Sequence, residues 1–159
     1  MFRKQTLIEE LNAAISGDPW HGSSLYDLLN NITWQSAIAH PIKNAHSIAE
    51  LVLHIIAWTE EVTSRLNGTP PGMPQRGDWP DPDVQDETNW QFIMEQLFNA
   101  NEALVQKLET IPESFLLNTI GSDRDAPLGT GITYEAMLHG LAQHHAYHGG
   151  QIALLSKFF

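Results

Sequence analysis

The sequence predicts an all-α protein built as a four-helix bundle, and three observations carry this. Four long segments place apolar residues at helical spacing. No segment alternates convincingly with a strand's period of two, and "FLLNTI" is the one short candidate. Two long connections rich in Pro and Gly follow the second and third long helices, and four amphipathic rods with such connections suit a bundle.

The elements follow in order. Residues 3–16 put Leu7, Ile8, Leu11 and Ile15 on one side, and Gly17, Asp18 and Pro19 stop the helix. "SSLYDLLNNI" reads as a short helical piece that Ser23 or Ser24 can cap, with Leu25, Leu28, Leu29 and Ile32 as its stripe. "HSIAELVLHIIAWTEEVTSRLNG" is the second long helix. Ser47 and Glu50 form a capping box, and Gly68 with Pro70 and Pro71 ends the element. Its apolar face is Ile48, Leu51, Ile55, Trp58, Val62 and Leu66.

Residues 68–83 hold too many Pro and Gly for a helix, and a loop of this length in a small domain is often functional. Trp79 within it is expected to pack back onto the body. The third long helix spans about 85–109, with Trp90, Ile93, Leu97, Ala100, Leu104 and Leu108 in register. A second irregular stretch, 110–131, contains Pro112, Gly121, Pro127, Gly129 and Gly131. Ile132 or Thr133 opens the last helix, which runs to about Lys157.

At 159 residues the chain is expected to be a single domain over 1–159. A hydrophobic fraction of 42% and a charged fraction of 17% fit a globular chain. The formal net charge of -11, from 19 acidic and 8 basic residues, argues against nucleic acid and anionic membranes as partners. There is no cysteine, so disulfides, thiolate zinc sites and a catalytic thiol are excluded. The N-terminal segment reads as a helix and not a signal peptide, and no apolar run reaches membrane-spanning length. The expectation is a soluble, cytoplasmic protein.

The chemistry concentrates in "QHHAYHGGQI". His144 and His148 are four apart, so on a helix they stand nearly above one another and can reach one ion at the ~2.0–2.1 Å that zinc takes. Met137, Leu141, His144, His148, Gln151 and Leu155 step by alternating fours and threes, the pattern of a buried bundle seam. His145 falls about 100° from His144, at the edge of that seam, and His139 falls on the other side. Polar groups in a seam need partners.

Spacing leaves two readings of the pair: metal ligands, or histidines hydrogen-bonded in an ordinary core. His54 is the one other histidine deep inside a strong helix, at the border of its apolar face. With His144 and His148 it would make a three-ligand site with an open position. Glu61 stands one heptad after His54. Its default reading is a solvated glutamate; it could also bond His54 or orient a ligand from behind. Gly149 and Gly150 each cost roughly 0.8–1 kcal/mol against Ala inside a helix. They imply close packing, a helix break, or open volume beside a metal.

"HHAYHGGQI" resembles the H-x-x-x-H-x-G-Q-[IL] signature of the DinB/YfiT-like superfamily, and "HSIAELVLHIIAW" resembles that family's second-helix pattern. "GDPWHG", "RLNG" and "GDWP" agree in order, so the resemblance covers nearly the whole chain. It implies an antiparallel four-helix bundle, often dimeric, with nickel or zinc on three histidines. Carried over by position, these are His54, His144 and His148. His145 stands where relatives often have Asp, and no role is carried onto it.

The resemblance implies a metal-dependent S-transferase using a low-molecular-weight thiol such as bacillithiol, acting on a small-molecule substrate. A hydrolase with a metal-activated water is the alternative. A non-catalytic bundle braced by its metal is a third. Glu61, Tyr147, Gln151 and, less directly, Glu50 are the candidate catalytic groups. Trp58 and Trp79 are the candidates for shaping substrate access, with both long connections expected to overhang the bundle.

Overall fold

The computed structural model describes residues 3–121 and 128–159. Its long helices are α1 (Arg3–Ser16), α4 (Ile48–Leu66), α5 (Glu87–Thr110) and α6 (Tyr134–Leu155). Two single-turn helices, α2 (Leu25–Leu29) and α3 (Trp34–Ile38), lie between α1 and α4. The long helices agree with the expected bounds to within about two residues. Nothing in the sequence reading anticipates α3, because five residues are too few to show a helical period.

Side-chain caps fix the helix starts. Ser47 and Glu50 form the expected box on α4, and Ser24 with Asp27 forms another on α2. Thr33, Asp86 and Thr133 cap α3, α5 and α6. Each cap satisfies an amide that the helix cannot.

"FLLNTI" is not a strand. Phe115–Leu117 lies in a 3₁₀ turn (Glu113–Leu117), and only Thr119 forms an isolated bridge, to Thr133. Leu116 is fully buried while Leu117 is half exposed, so the turn serves to drive one leucine into the core. Pro127, one of the residues that mark this stretch as irregular, lies outside the described residues.

Helix α4 packs against α5 and α6, and α1 packs against α5 and α6 as well. The core divides into two apolar clusters. One gathers Ile15, Leu25, Ile55, Trp90, Leu97 and Ile152; the other gathers Leu7, Leu11, Val62, Leu104 and Leu138. Between them each long helix contributes a polar residue. Asn101 Nδ2 donates to Asn12 Oδ1 at 2.8 Å, linking α5 to α1. Thr59 Oγ1 meets His145 Nε2 at 3.1 Å, linking α4 to α6. This polar layer crosses the waist of the molecule, and the histidine cluster lies there too.

The seam of α6 is buried in part as the spacing predicts: Met137, Leu141, His148 and Leu155 are buried, joined by Leu138, His145, Gly149 and Ile152. His145, expected at the edge, is 1% exposed, while His144 and Gln151 flank the row and are only partly buried. A helix wheel gives relative angles but not the absolute rotation, and packing against α4 and α1 sets that.

The two glycines have separate explanations. A Cβ on Gly149 would meet Leu25 Cδ2 at 3.5 Å and Leu28 Cδ1 at 3.8 Å, so this turn of α6 lies close against α2. A Cβ on Gly150 would meet nothing within 4 Å. The cavity they line reaches His21 but none of His54, His144 and His148, and the helix does not break at either glycine.

Candidate metal centre

His54 comes from the middle of α4, and His144 and His148 come from successive turns of α6. Their ligand atoms lie within 4.8 Å of one another, the one such group of three among the described residues. His54 Nε2 and His144 Nε2 are 2.9 Å apart. The ring centres of His144 and His148 are 4.4 Å apart, and those of His54 and His148 4.8 Å.

Two rings are oriented from behind. His54 Nδ1 lies 2.6 Å from the backbone oxygen of Asp78, and a carbonyl can only accept, so Nδ1 carries the proton. This leaves a lone pair on Nε2. His148 Nδ1 donates to Gln151 Oε1 at 2.7 Å, which frees its Nε2 in the same way. Such outer hydrogen bonds fix the tautomer a metal needs. His144 Nδ1 is buried with no protein partner, while His144 Nε2 donates to the bare Nε2 of His54, so without an ion the His144 proton sits on Nε2.

Three histidines of α6 are held neutral. Burial, then the neighbouring His148, His145 and His54, push His144 down to about 3. Burial and His148 push His145 to about 4. His148 is also lowered, chiefly by burial, against the opposing hydrogen bond to Gln151. Imidazoles whose Nε2 lone pairs are left free, as on His54 and His148, fit a borderline divalent cation.

The 68–83 connection lies at this site, as expected. Trp58 Nε1 donates to Asp78 Oδ1 at 2.8 Å, which ties the loop to α4 one turn after His54. The Trp79 indole is parallel to His54 at 3.9 Å and to His46 at 3.6 Å between ring centres. Two parallel rings this near one indole must occupy its opposite faces. Trp79 is thus sandwiched and covers the outer side of His54. Leu128 and Gly129, from the second connection, line a cavity with Trp58 and His144.

The other candidates are dispersed. Glu61 is buried and not solvated; it accepts from Arg65 Nε at 2.8 Å and from the Gly72 amide at 3.0 Å. Arg65 also donates to the carbonyls of Leu128 and Gly72, so this pair staples both connections to α4. Glu50 is taken up by the Ser47 amide, His40 and His46. Tyr147 is exposed, with its ring edge-on to His148 at 5.0 Å. His139 pairs with Glu10 on α1 at 2.8 Å, away from the cluster.

Asp78 is the residue that sequence reasoning missed. Its backbone oxygen accepts from His54, and its carboxylate accepts from Trp58 and lies 3.3 Å from His54 Nδ1; the carboxylate is visible in "GDWP", but its return onto α4 is not.

An all-helical fold with a buried three-histidine cluster spanning two of its helices defines the class. Residues 20–152 match the family model of the DinB superfamily, and the chain belongs to that family. No curated protein and no solved structure matches it significantly.

Proposed function

We propose that His54, His144 and His148 hold one divalent ion, zinc or nickel, and that the protein is a metal-dependent S-transferase using a low-molecular-weight thiol. One observation carries the metal reading: the Nδ1 atoms of His54 and His148 are committed to acceptors, leaving Nε2 lone pairs beside His144. A bound ion would supply positive charge that stabilises an anionic nucleophile at neutral pH.

The chain's own residues do the rest. Asp78 and Gln151 hold two rings in place. Trp79 keeps water from one side of His54. Cavities adjoin His148 on one flank and His144 on the other, which supports an open site over a purely bracing one.

The thiol reading is favoured over hydrolysis by the positions of the two glutamates. Water attack benefits from a general base, and both Glu61 and Glu50 are engaged elsewhere. A thiolate needs none. It forms a C–S bond as the leaving group departs with its electron pair, and the thiol proton passes to solvent.

The test begins with metal content of the wild type beside His54→Ala, His144→Ala and His148→Ala. One equivalent of metal, lost or sharply weakened in each variant, is expected. Thioether formation from bacillithiol and an aryl halide should then depend on the metal. A wild type that takes up neither zinc nor nickel refutes the metal reading. A metal-loaded protein that hydrolyses esters but transfers no thiol refutes the S-transferase reading.

A further inference from the structure

The flank of the cluster that bears His148 opens into a cavity of 340 Å³ between α4, α6 and the segment before α4. That is within the range of small-molecule sites, about 300–1,000 Å³. Ile42, Leu51 and Leu154 form its apolar wall, with the Trp79 and Tyr147 rings alongside and His46, His148 and Gln151 as its polar groups; His46 faces Glu50 behind the wall. No Asp, Glu, Lys or Arg lines it. The larger cavity between α1 and α6, of 530 Å³, carries Glu9, Glu10 and Asp18, and none of the three clustered histidines.

From this juxtaposition we propose that the His148 cavity binds an uncharged, ring-bearing group, the electrophile of the reaction. Without a bound metal, an ion entering it would give up its water for a wall that offers no Asp, Glu, Lys or Arg, which is costly; with the metal bound this still holds for a cation. A flat neutral ring exchanges water for aliphatic side chains and the edges of two aromatic rings. Gln151 adds direction: its Oε1 accepts from His148, and its amide N–H groups remain to donate to a polar substituent on the ring. As a substrate site this rests on the metal reading above; as a binding site it is tested apart from it.

The experiment is an amide-resolved NMR titration of the full chain with 4-nitroanisole, 4-nitrobenzoate and a (4-nitrobenzyl)trimethylammonium salt. It is run on zinc-treated wild type, on His144→Ala and on Leu154→Arg. Leu154 is exposed, so its replacement leaves the core intact. The neutral ring should shift the amides of Ala45, Tyr147 and Leu154, at least tenfold more tightly than the cation in every sample and than the anion in His144→Ala. The cation is the stringent control, because the acidic chain attracts it everywhere else. Leu154→Arg should raise the affinity of 4-nitrobenzoate about tenfold at these amides.

Equal binding of neutral ring and cation at these amides overturns the proposal. So does a Leu154→Arg variant whose affinity for the anion is unchanged, or neutral-ring shifts confined to α1. Ring binding that persists in His144→Ala, or in a wild type that takes no zinc, supports the cavity while the metal reading stands or falls separately. Zinc uptake without ring binding leaves the metal reading and removes this one.

Discussion

Gln151 offers a test of how the site is oriented, because two replacements should move metal affinity in opposite directions. His148 is 5% exposed, and its Nδ1–H has Gln151 Oε1 as its acceptor at 2.7 Å. Gln151→Leu keeps similar bulk and removes that acceptor. A neutral hydrogen bond contributes about 0.5–1.5 kcal/mol, and outer partners of metal-bound histidines are worth about 10–100-fold in affinity. The two ranges meet near 1.4 kcal/mol, about tenfold. Gln151→Leu should therefore bind zinc about tenfold more weakly. Gln151→Glu replaces the amide with a carboxylate, a stronger acceptor that raises the basicity of the imidazole, and should bind zinc at least as tightly as wild type. The assay is competition against a chromophoric chelator at neutral pH, with circular dichroism to confirm equal helicity. A Leu variant of wild-type affinity would show that the bond does not orient His148. A Glu variant weakened as much as the Leu variant would show that Gln151 donates and does not accept, which reverses the tautomer argument.

Three further predictions concern the scaffold. Arg65→Ala leaves Glu61 buried without its cation and removes donors from two loop carbonyls, so it should cost about 3–5 kcal/mol in urea unfolding; a loss below 1 kcal/mol would mean the pair does not staple the loops. Gly150→Ala adds a methyl into open space within a helix and should stabilise by about 1 kcal/mol, read from the same urea midpoints; a destabilised variant would indicate a contact or a helix break there. Burial alone would raise Glu50, but the Ser47 amide and the hydrogen bond and charges of His40 and His46 outweigh it and hold the carboxyl below its usual 4.5. A lowered folded value means that this stabilisation is present above about pH 4.5 and is lost as pH falls through the folded value. The stability difference between wild type and Glu50→Gln should accordingly shrink below pH 4.5; a difference that is constant from pH 7 to 3 would refute it.

Much of this molecule was legible in the chain. The apolar stripes of α1, α4 and α5 contain the residues that the fold buries, because a helix that packs on one side must show its period. The Ser47–Glu50 box is legible for a similar reason: a cap is satisfied within four residues. The His144–His148 spacing places two imidazoles on successive turns of one face through helix geometry alone, and a family motif names His54 with them.

Tertiary structure decided what depends on absolute rotation and on distant backbone. It turned α6 so that His145, and not His144, enters the core. It buried Glu61 against Arg65, because two remote loops return there with carbonyls to be satisfied. It brought Asp78, twenty-four positions along the chain, back onto His54 with both its backbone oxygen and its carboxylate. It placed Trp79 between two imidazoles separated by eight positions in the chain. Local periodicity determines which residues share a helix face. Only packing among elements determines what that face meets.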